Sequence, residues 1–318
     1  MLRSIASALL TAVALIEPAA AQSYPSKPVR VIVPFTPGGA IDIIGRMVGQ
    51  RLSERLNTPF VIENRPGGGT NIGAEAAARA APDGYTVFMA STSQAVNVTL
   101  YPRLTYDLFK DFAPVTLVAI NPNVLVVHPS LPVKTVKDLV ALAKRKPGAL
   151  SYASSGSGTS SHLAAELFKL IAGIDIVHVP YKGAGPALTA LLGGQVELFI
   201  TNTAAASHHI KSGKLRSLAV TTDRRLPGMP GVPTMQEAGV PGYEVSAWTG
   251  MLAPAATRSE IIALLNRETR EAIKDVSKRL AELDAVPAPT TPEEFSTFLR
   301  GEVVKWESVV KRSGARVE

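Results

Sequence analysis

The sequence predicts an α/β protein of two doubly wound lobes with a ligand cleft between them. Strand-like and helix-like segments alternate from Val29 to Ser91, and a second alternating series runs from Thr135 to Thr221. A β-α-β-α-β order implies parallel strands joined by right-handed crossovers. The chain has 318 residues, enough for two domains, and 46% hydrophobic residues can fill two cores.

In the first series "VRVIVPF" is a β-branched run, and residues 41–56 follow with helical periodicity. "PFVIEN" reads as a second strand and "NIGAEAAARAA" as an alanine-rich helix. "YTVFMAS" is a third strand, reached through the Pro82-Asp83-Gly84 turn. The second series opens with the helix "VKDLVALAKRK" behind Thr135, stopped by Pro147-Gly148. "LSYASS", a helix over 161–171, "IDIVHVPY", a helix over 186–192, "VELFIT", a helix over 204–211 and "LRSLAVT" follow. Residues 224–244, rich in proline and glycine, read as surface loop. After "VSAWTGMLAP" come two long amphipathic helices, expected to pack back on the first lobe. The last begins at Thr291-Pro292-Glu293-Glu294, a capping box with proline in the first helical position. Phe295, Phe298, Leu299, Trp306 and Val310 then share one face, which assigns Trp306 to the core. Chain crossings between lobes fall near "VAINPNVLVV" and "YEVSAWTG". Residues 22–121 with 245–318 therefore form one lobe, and 122–244 the other.

The first 21 residues read differently. Arg3 precedes the apolar run Ile5–Ile16, and small residues stand at Ala19 and Ala21, the pattern of a secretory signal peptide cleaved after Ala21. The chain has no cysteine, which excludes disulfides, a thiolate nucleophile and lipidation through an N-terminal cysteine. A formal charge of +7 favours anionic ligands or partners. The basic residues, however, are scattered in short clusters such as Lys144-Arg145-Lys146 and Arg224-Arg225. They read as solvated faces rather than a nucleic-acid groove.

In an open parallel sheet, ligands sit beyond the carboxyl ends of the strands. The loops there are Phe35-Thr36-Pro37-Gly38-Gly39, Arg65-Pro66-Gly67-Gly68-Gly69 and Ser91-Thr92-Ser93 in one lobe. In the other they are "SSGSGTSSH" (Ser154 to His162), "PYKGAG" (Pro180 to Gly185) and Thr201-Asn202-Thr203. Each lobe thus presents main-chain N–H groups at helix starts, with small hydroxyl side chains beside them. A helix N-terminus carries about half a positive charge and roughly four unsatisfied donors, so it binds a carboxylate or phosphate without a cation. Two such clusters facing each other could clasp both ends of a small diacid.

The stretches "YPSKPVRVIVPFTPGGAIDIIGRMVGQRL", "IENRPGGGTNIGAEAAARAAPDGYTVFMAS", "YASSGSGTSSHLAAELF" and "VPYKGAGPALTALLGGQVELFI" resemble the tripartite tricarboxylate transporter receptors, the Bug family. The resemblance covers nearly the whole chain after the signal. It implies a periplasmic solute-binding protein of the two-lobed type II fold, closing on ligand like a hinged trap. It also implies a small organic acid as ligand, membrane permease subunits as partners, a monomer, and no metal or cofactor. The acid is left open among dicarboxylates, tricarboxylates, acidic amino acids and aromatic carboxylates. Carried onto this chain, the family pattern places Phe35, Pro37, Gly38, Gly39, Ser91 and Thr92 at the cleft from the first lobe. From the second come Ser155, Gly156, Gly158, Thr159, Ser160, Tyr181 and Asn202. Asp42 has two readings, a ligand contact and local satisfaction of loop N–H groups, of which the second is preferred. His162 either touches ligand or bonds neighbouring backbone. Trp248 either walls the cleft or packs the hinge.

Enzyme classes fit poorly. Gly156-Ser157-Gly158 lacks the Gly-x-Ser-x-Gly spacing of a hydrolase elbow, and no phosphate-loop Gly-Lys-Ser/Thr is present. The five histidines form no zinc motif. An exported hydrolase and a ligand sensor on the same fold stand as the alternatives.

Overall fold

A computed structural model describes residues 24–313, so the predicted signal peptide lies outside the described residues. The first lobe runs β1 (Val29–Val33), α1 (Ala40–Leu56), β2 (Phe60–Asn64), α2 (Asn71–Ala78), β3 (Thr86–Ser91) and α3 (Thr92–Leu100). A 16-residue strand, β4 (Phe112–Val127), then leads to α4 (Val136–Arg145), β5 (Ser151–Ser154), α5 (Ser160–Ala172) and β6 (Val177–Pro180). These are followed by α6 (Ala184–Leu192), β7 (Leu198–Asn202), α7 (Thr203–Lys211) and β8 (Arg216–Val220). The chain returns through β9 (Ser246–Pro254) to α8 (Ser259–Asp275), α9 (Ser277–Glu282), β10 (Val286–Pro287) and α10 (Pro292–Ser313).

Two sheets share β4. On one side β2, β1 and β3 are parallel, and β9 lies antiparallel between β3 and β4. On the other, β6, β5 and β7 are parallel, and β4 lies antiparallel between β7 and β8. The spatial orders β2-β1-β3 and β6-β5-β7 are each doubly wound, so each sheet has its switch point beside its first strand. β4 changes partners at one point: Phe112 to Pro122 pair with β9, and Asn123 to Val127 with β7 and β8. The returning chain is tied at Val245 to Thr221 and joins β4 at Ser246.

The strands form because their β-branched side chains bury on both faces. Val31, Ile32 and Val33, and all six residues of β3, are buried. The capping box predicted for the last helix is present, with Thr291 Oγ1 accepting from the Glu294 N–H and Glu294 accepting from the Thr291 N–H. Trp306 is fully buried.

Three expectations differ. Residues 224–244 carry no regular element, yet Met235 and Tyr243 are fully buried, and the Tyr243 hydroxyl donates to Ala164 O at 2.8 Å. The proline-glycine composition marks the turns, while the apolar side chains between them plug the lobe. The C-terminal region holds two long helices with the short α9 and β10 between them. Finally, α8 packs on α1 and β4, but α10 packs on α3, β4 and α5, so it spans both lobes rather than the first alone.

Candidate functional site

Where the lobes meet, one cavity gathers Phe35, Gly39, Ser91, Ser155, Thr159, Ser160, Asn202 and Trp248 in its wall. Thr36, Ala40, Ile41, Ser93, Asn121, Asn123, Ser161, Ala184, Thr201 and Ala247 complete it. Its wall contains no charged side chain. Its free interior is about 30 Å³, room for about two waters.

The wall is made of helix starts. The first turns of α1, α5 and α6 reach it at Ala40, Ser160 and Ala184, α3 at Ser91 and Ser93, and α7 at its N-cap Asn202. Ser91 caps α3 with its own side chain, but α1, α5, α6 and α7 have no side-chain cap. The N–H groups of Ala40, Ile41, Ser160 and Ser161 find no acceptor among the described residues. Elsewhere α4 has a complete capping box from Thr135 and Asp138 and α10 one from Thr291 and Glu294, while α2, α8 and α9, which do not reach the cavity, also lack a side-chain cap. Five positive helix ends around one uncharged cavity create a field that an anion satisfies.

The donors are not those of Gly38, Gly156 and Gly158. The Gly38 N–H goes to Asp42 Oδ2 at 2.9 Å. In the second lobe the N–H groups of Ser155, Gly156 and Gly158 go to Ser161 Oγ, Ser154 Oγ and His162 Nδ1 at 2.9, 3.1 and 3.1 Å. The glycines shape the loops, and the open donors lie a few residues on, in the first helical turn.

Eight predicted residues lie outside the wall. Pro37 and Gly38 are exposed on the outer edge of their loop. Asp42 turns to the loop, accepting from Gly38, Arg46 and Asn64. Burial pushes its carboxyl up, but the hydrogen bonds from Arg46, Gly38 and Asn64 outweigh this and hold it below the usual carboxylate range. Thr92 Oγ1 accepts from the Trp248 N–H at 3.1 Å. Gly156 and Tyr181 line a side chamber with Gly67, Gly68, Gly69 and Lys182. Gly158 meets Asn97, Leu100 and Tyr101 across the cleft. His162 lies beneath its loop. Trp248 lines the cavity, and behind the wall its indole N–H donates to Glu302 at 2.8 Å.

His162 belongs to a buried stack. Its ring lies 4.1 Å from that of His178, which lies 4.9 Å from Tyr152. Ser154 Oγ is 2.6 Å from His178 Nε2, and Glu166 binds both Tyr152 and Lys169. Burial, with Lys169 adding to it, pushes His162 down to about 4; burial and the neighbouring His162 push His178 to about 3. The neutral imidazole is what accepts the Gly158 N–H. Below the ordinary histidine value near 6.5, the unfolded chain takes up a proton that folded His162 refuses. Stability is therefore full above pH 6.5 and falls as the pH drops towards 4, by about 2 kcal/mol at pH 5 from His162 alone. Urea midpoints measured from pH 7 to 4.5 should fall at least this much, and His162→Gln should make the fall shallower while the share of His178 remains.

A two-lobed fold with uncapped helix ends around an interlobe cavity is the architecture of a solute-binding protein. The chain belongs to the tripartite tricarboxylate transporter family receptors, whose family pattern matches residues 44–315. Protein BugT of Bordetella pertussis is 40% identical over 305 residues, covering 95% of this chain and 94% of BugT. Among solved structures, R. palustris Rpa4515 with adipate is 38% identical with a TM-score of 0.89, covering 92% of this chain and all of that one. MatC from Rhodopseudomonas palustris with bound malate is 34% identical with a TM-score of 0.86, covering 90% of this chain and all of that one. Periplasmic binding protein BugD is 31% identical, TM-score 0.89, covering 93% and 100%. Receptors of this family are periplasmic solute-binding proteins.

Proposed function

We propose that this receptor captures a small dicarboxylate between its lobes in the periplasm, after removal of the signal peptide near Ala21, and delivers it to a membrane permease. The observation that carries the reading is the set of uncapped N-termini of α1, α5, α6 and α7 around a wall without charged side chains. Such a wall is suited to oxygen anions, which gain from fixed dipoles in a site that excludes water. That Rpa4515 is described with adipate and MatC with malate supports acids of four to six carbons here.

Residues 22–121 with 245–318 would move as one body and 122–244 as the other. The chain bends between them at Pro122/Asn123 and Val245/Ser246. Phe35, Gly39, Ser91, Ser155, Thr159, Ser160, Asn202 and Trp248 are the residues assigned to the ligand. Docking on one lobe supplies the first interactions, and those that form only on closure shift the equilibrium to the closed form. The protein is taken to act as a monomer, without metal or cofactor.

Calorimetric titration with succinate, malate, glutarate, adipate and citrate tests the reading. At least one dicarboxylate should bind one to one at micromolar or lower concentration. A receptor that takes none of these, but copurifies with a neutral solute identified by mass spectrometry, would overturn it.

A further inference from the structure

The back of the cavity holds two polar groups that the protein leaves unanswered. Asn121 and Asn123 stand two apart on β4, where strand alternation puts both on one face, with Cα atoms roughly 7 Å apart. Both line the cavity, at 3% and 1% exposure. Asn121 Nδ2 donates to Thr249 Oγ1 at 2.6 Å, and Asn121 Oδ1 has no partner. Asn202 Nδ2 donates to Asn123 Oδ1 at 2.8 Å, and Asn123 Nδ2 has no partner. One buried acceptor and one buried donor without partners thus sit on side chains of the cavity wall, and groups of this kind are costly to leave unpaired.

The helix ends offer only donors, which suit carboxylates. A carboxylate cannot answer Asn121 Oδ1, because it brings no proton. A hydroxyl brings one proton and two lone pairs, so it can donate to Asn121 and accept from Asn123 at once. A methylene answers neither. An ammonium brings donors only, leaves Asn123 unpaired, and adds positive charge among five positive helix ends. No carboxylate of the wall can neutralise it, since Asp42 is turned to Gly38, Arg46 and Asn64.

We infer that Asn121 and Asn123 determine specificity by reading the backbone substituent of the acid, and that the receptor favours hydroxy dicarboxylates over unsubstituted ones and rejects amino dicarboxylates. This rests on the carboxylate reading above.

The test is calorimetric titration with two matched sets: malate, succinate and aspartate, and 2-hydroxyglutarate, glutarate and glutamate. In the set whose length fits, the hydroxy acid should bind about tenfold tighter than the plain acid, the value of one well-made buried hydrogen bond, and the amino acid should bind weakest. Asn123→Ala should erase the hydroxyl advantage, weakening the hydroxy acid about tenfold more than the plain acid. Asn121→Asp, by placing a carboxylate at the back wall, should raise the amino acid above the plain one. Circular dichroism establishes that each variant is folded, and the wild-type ranking decides even where a variant is not. Hydroxy and plain acids of equal affinity, or an amino acid ranked first by the wild type, would overturn the inference and leave the carboxylate reading standing. No heat from any of the six would overturn the inference, and no heat from adipate and citrate as well would overturn both.

Discussion

Gly158→Val should lower ligand affinity by about 5- to 150-fold, with little loss of fold. Gly158 has φ +82, and a Cβ there would overlap Asn97 Oδ1 and come within 3.0 Å of Leu100 Cδ2 and 3.3 Å of Tyr101 Cε2. All three neighbours belong to the opposite lobe, on α3 or immediately after it. The clash therefore exists only when the cleft is shut, and overpacking of this kind costs about 1–3 kcal/mol. The left-handed backbone adds strain in both states and cancels from the closure equilibrium. Gly38→Ala is the control. Its φ is +87, but an added Cβ meets nothing within 4 Å, so affinity should change by less than about fivefold. Calorimetry on both variants against a bound dicarboxylate checks the contrast, and equal losses would show that loop shape, not lobe contact, is what glycine supplies.

Glu302→Ala should lower the melting temperature by about 5–10 °C. The Glu302 carboxylate accepts from the indole N–H of Trp248 at 2.8 Å and from that of Trp306 at 2.9 Å. Both rings are buried, and Glu302 itself is 8% exposed. Removing the carboxylate leaves two buried donors without an acceptor, at about 1–3 kcal/mol each. In a chain of this size each kcal/mol moves the melting point by roughly 2–4 °C. Glu302→Gln, which keeps one carbonyl acceptor, should recover part of the loss. Since Trp248 lines the cavity while α10 reaches both lobes, the Ala variant should also bind ligand less tightly. Scanning fluorimetry and calorimetry on the three proteins measure both effects.

The lobes were legible because their information is local. Val31, Ile32 and Val33 announce a buried strand by composition alone, and Thr291 with Glu294 announces a helix start by spacing. The loops of the cleft were legible for the same reason, since glycine and small hydroxyl residues between strand and helix have few other uses. What the loops do with their N–H groups was not. Whether the Gly158 N–H is open depends on His162 reaching back four residues, and whether that of Gly38 is open depends on Asp42 doing the same. One signal was available: an acidic residue in the first turn of a helix commonly serves the turn before it.

Asn121 and Asn123 were missed for a different reason. In "VAINPNVLVV" they read as a break in an apolar strand and marked only a crossing. Their role depends on which face of β4 meets the cavity, and that is set by pairing with β9 and β7, more than seventy residues away. The span of α10 across both lobes is likewise a tertiary fact, because its amphipathic face specifies burial but not the partner. Ser93 and Ser161 were close to predicted positions, and of the donors found open Ser160 was named while Ala40, Ile41 and Ser161 lie within two residues of named ones.

A cavity walled by main-chain dipoles rather than by lysine or arginine has a consequence for unloading. When a cation loses its cargo it must recruit a counterion or rehydrate strongly, and either process holds an emptied site shut or fouled. Helix ends carry only fractional charge, and ordinary water solvates them as the lobes part. Under the proposed function, the wall that would hold an acid when dry would let it go once wetted, and discharge would need only that something pry the halves apart.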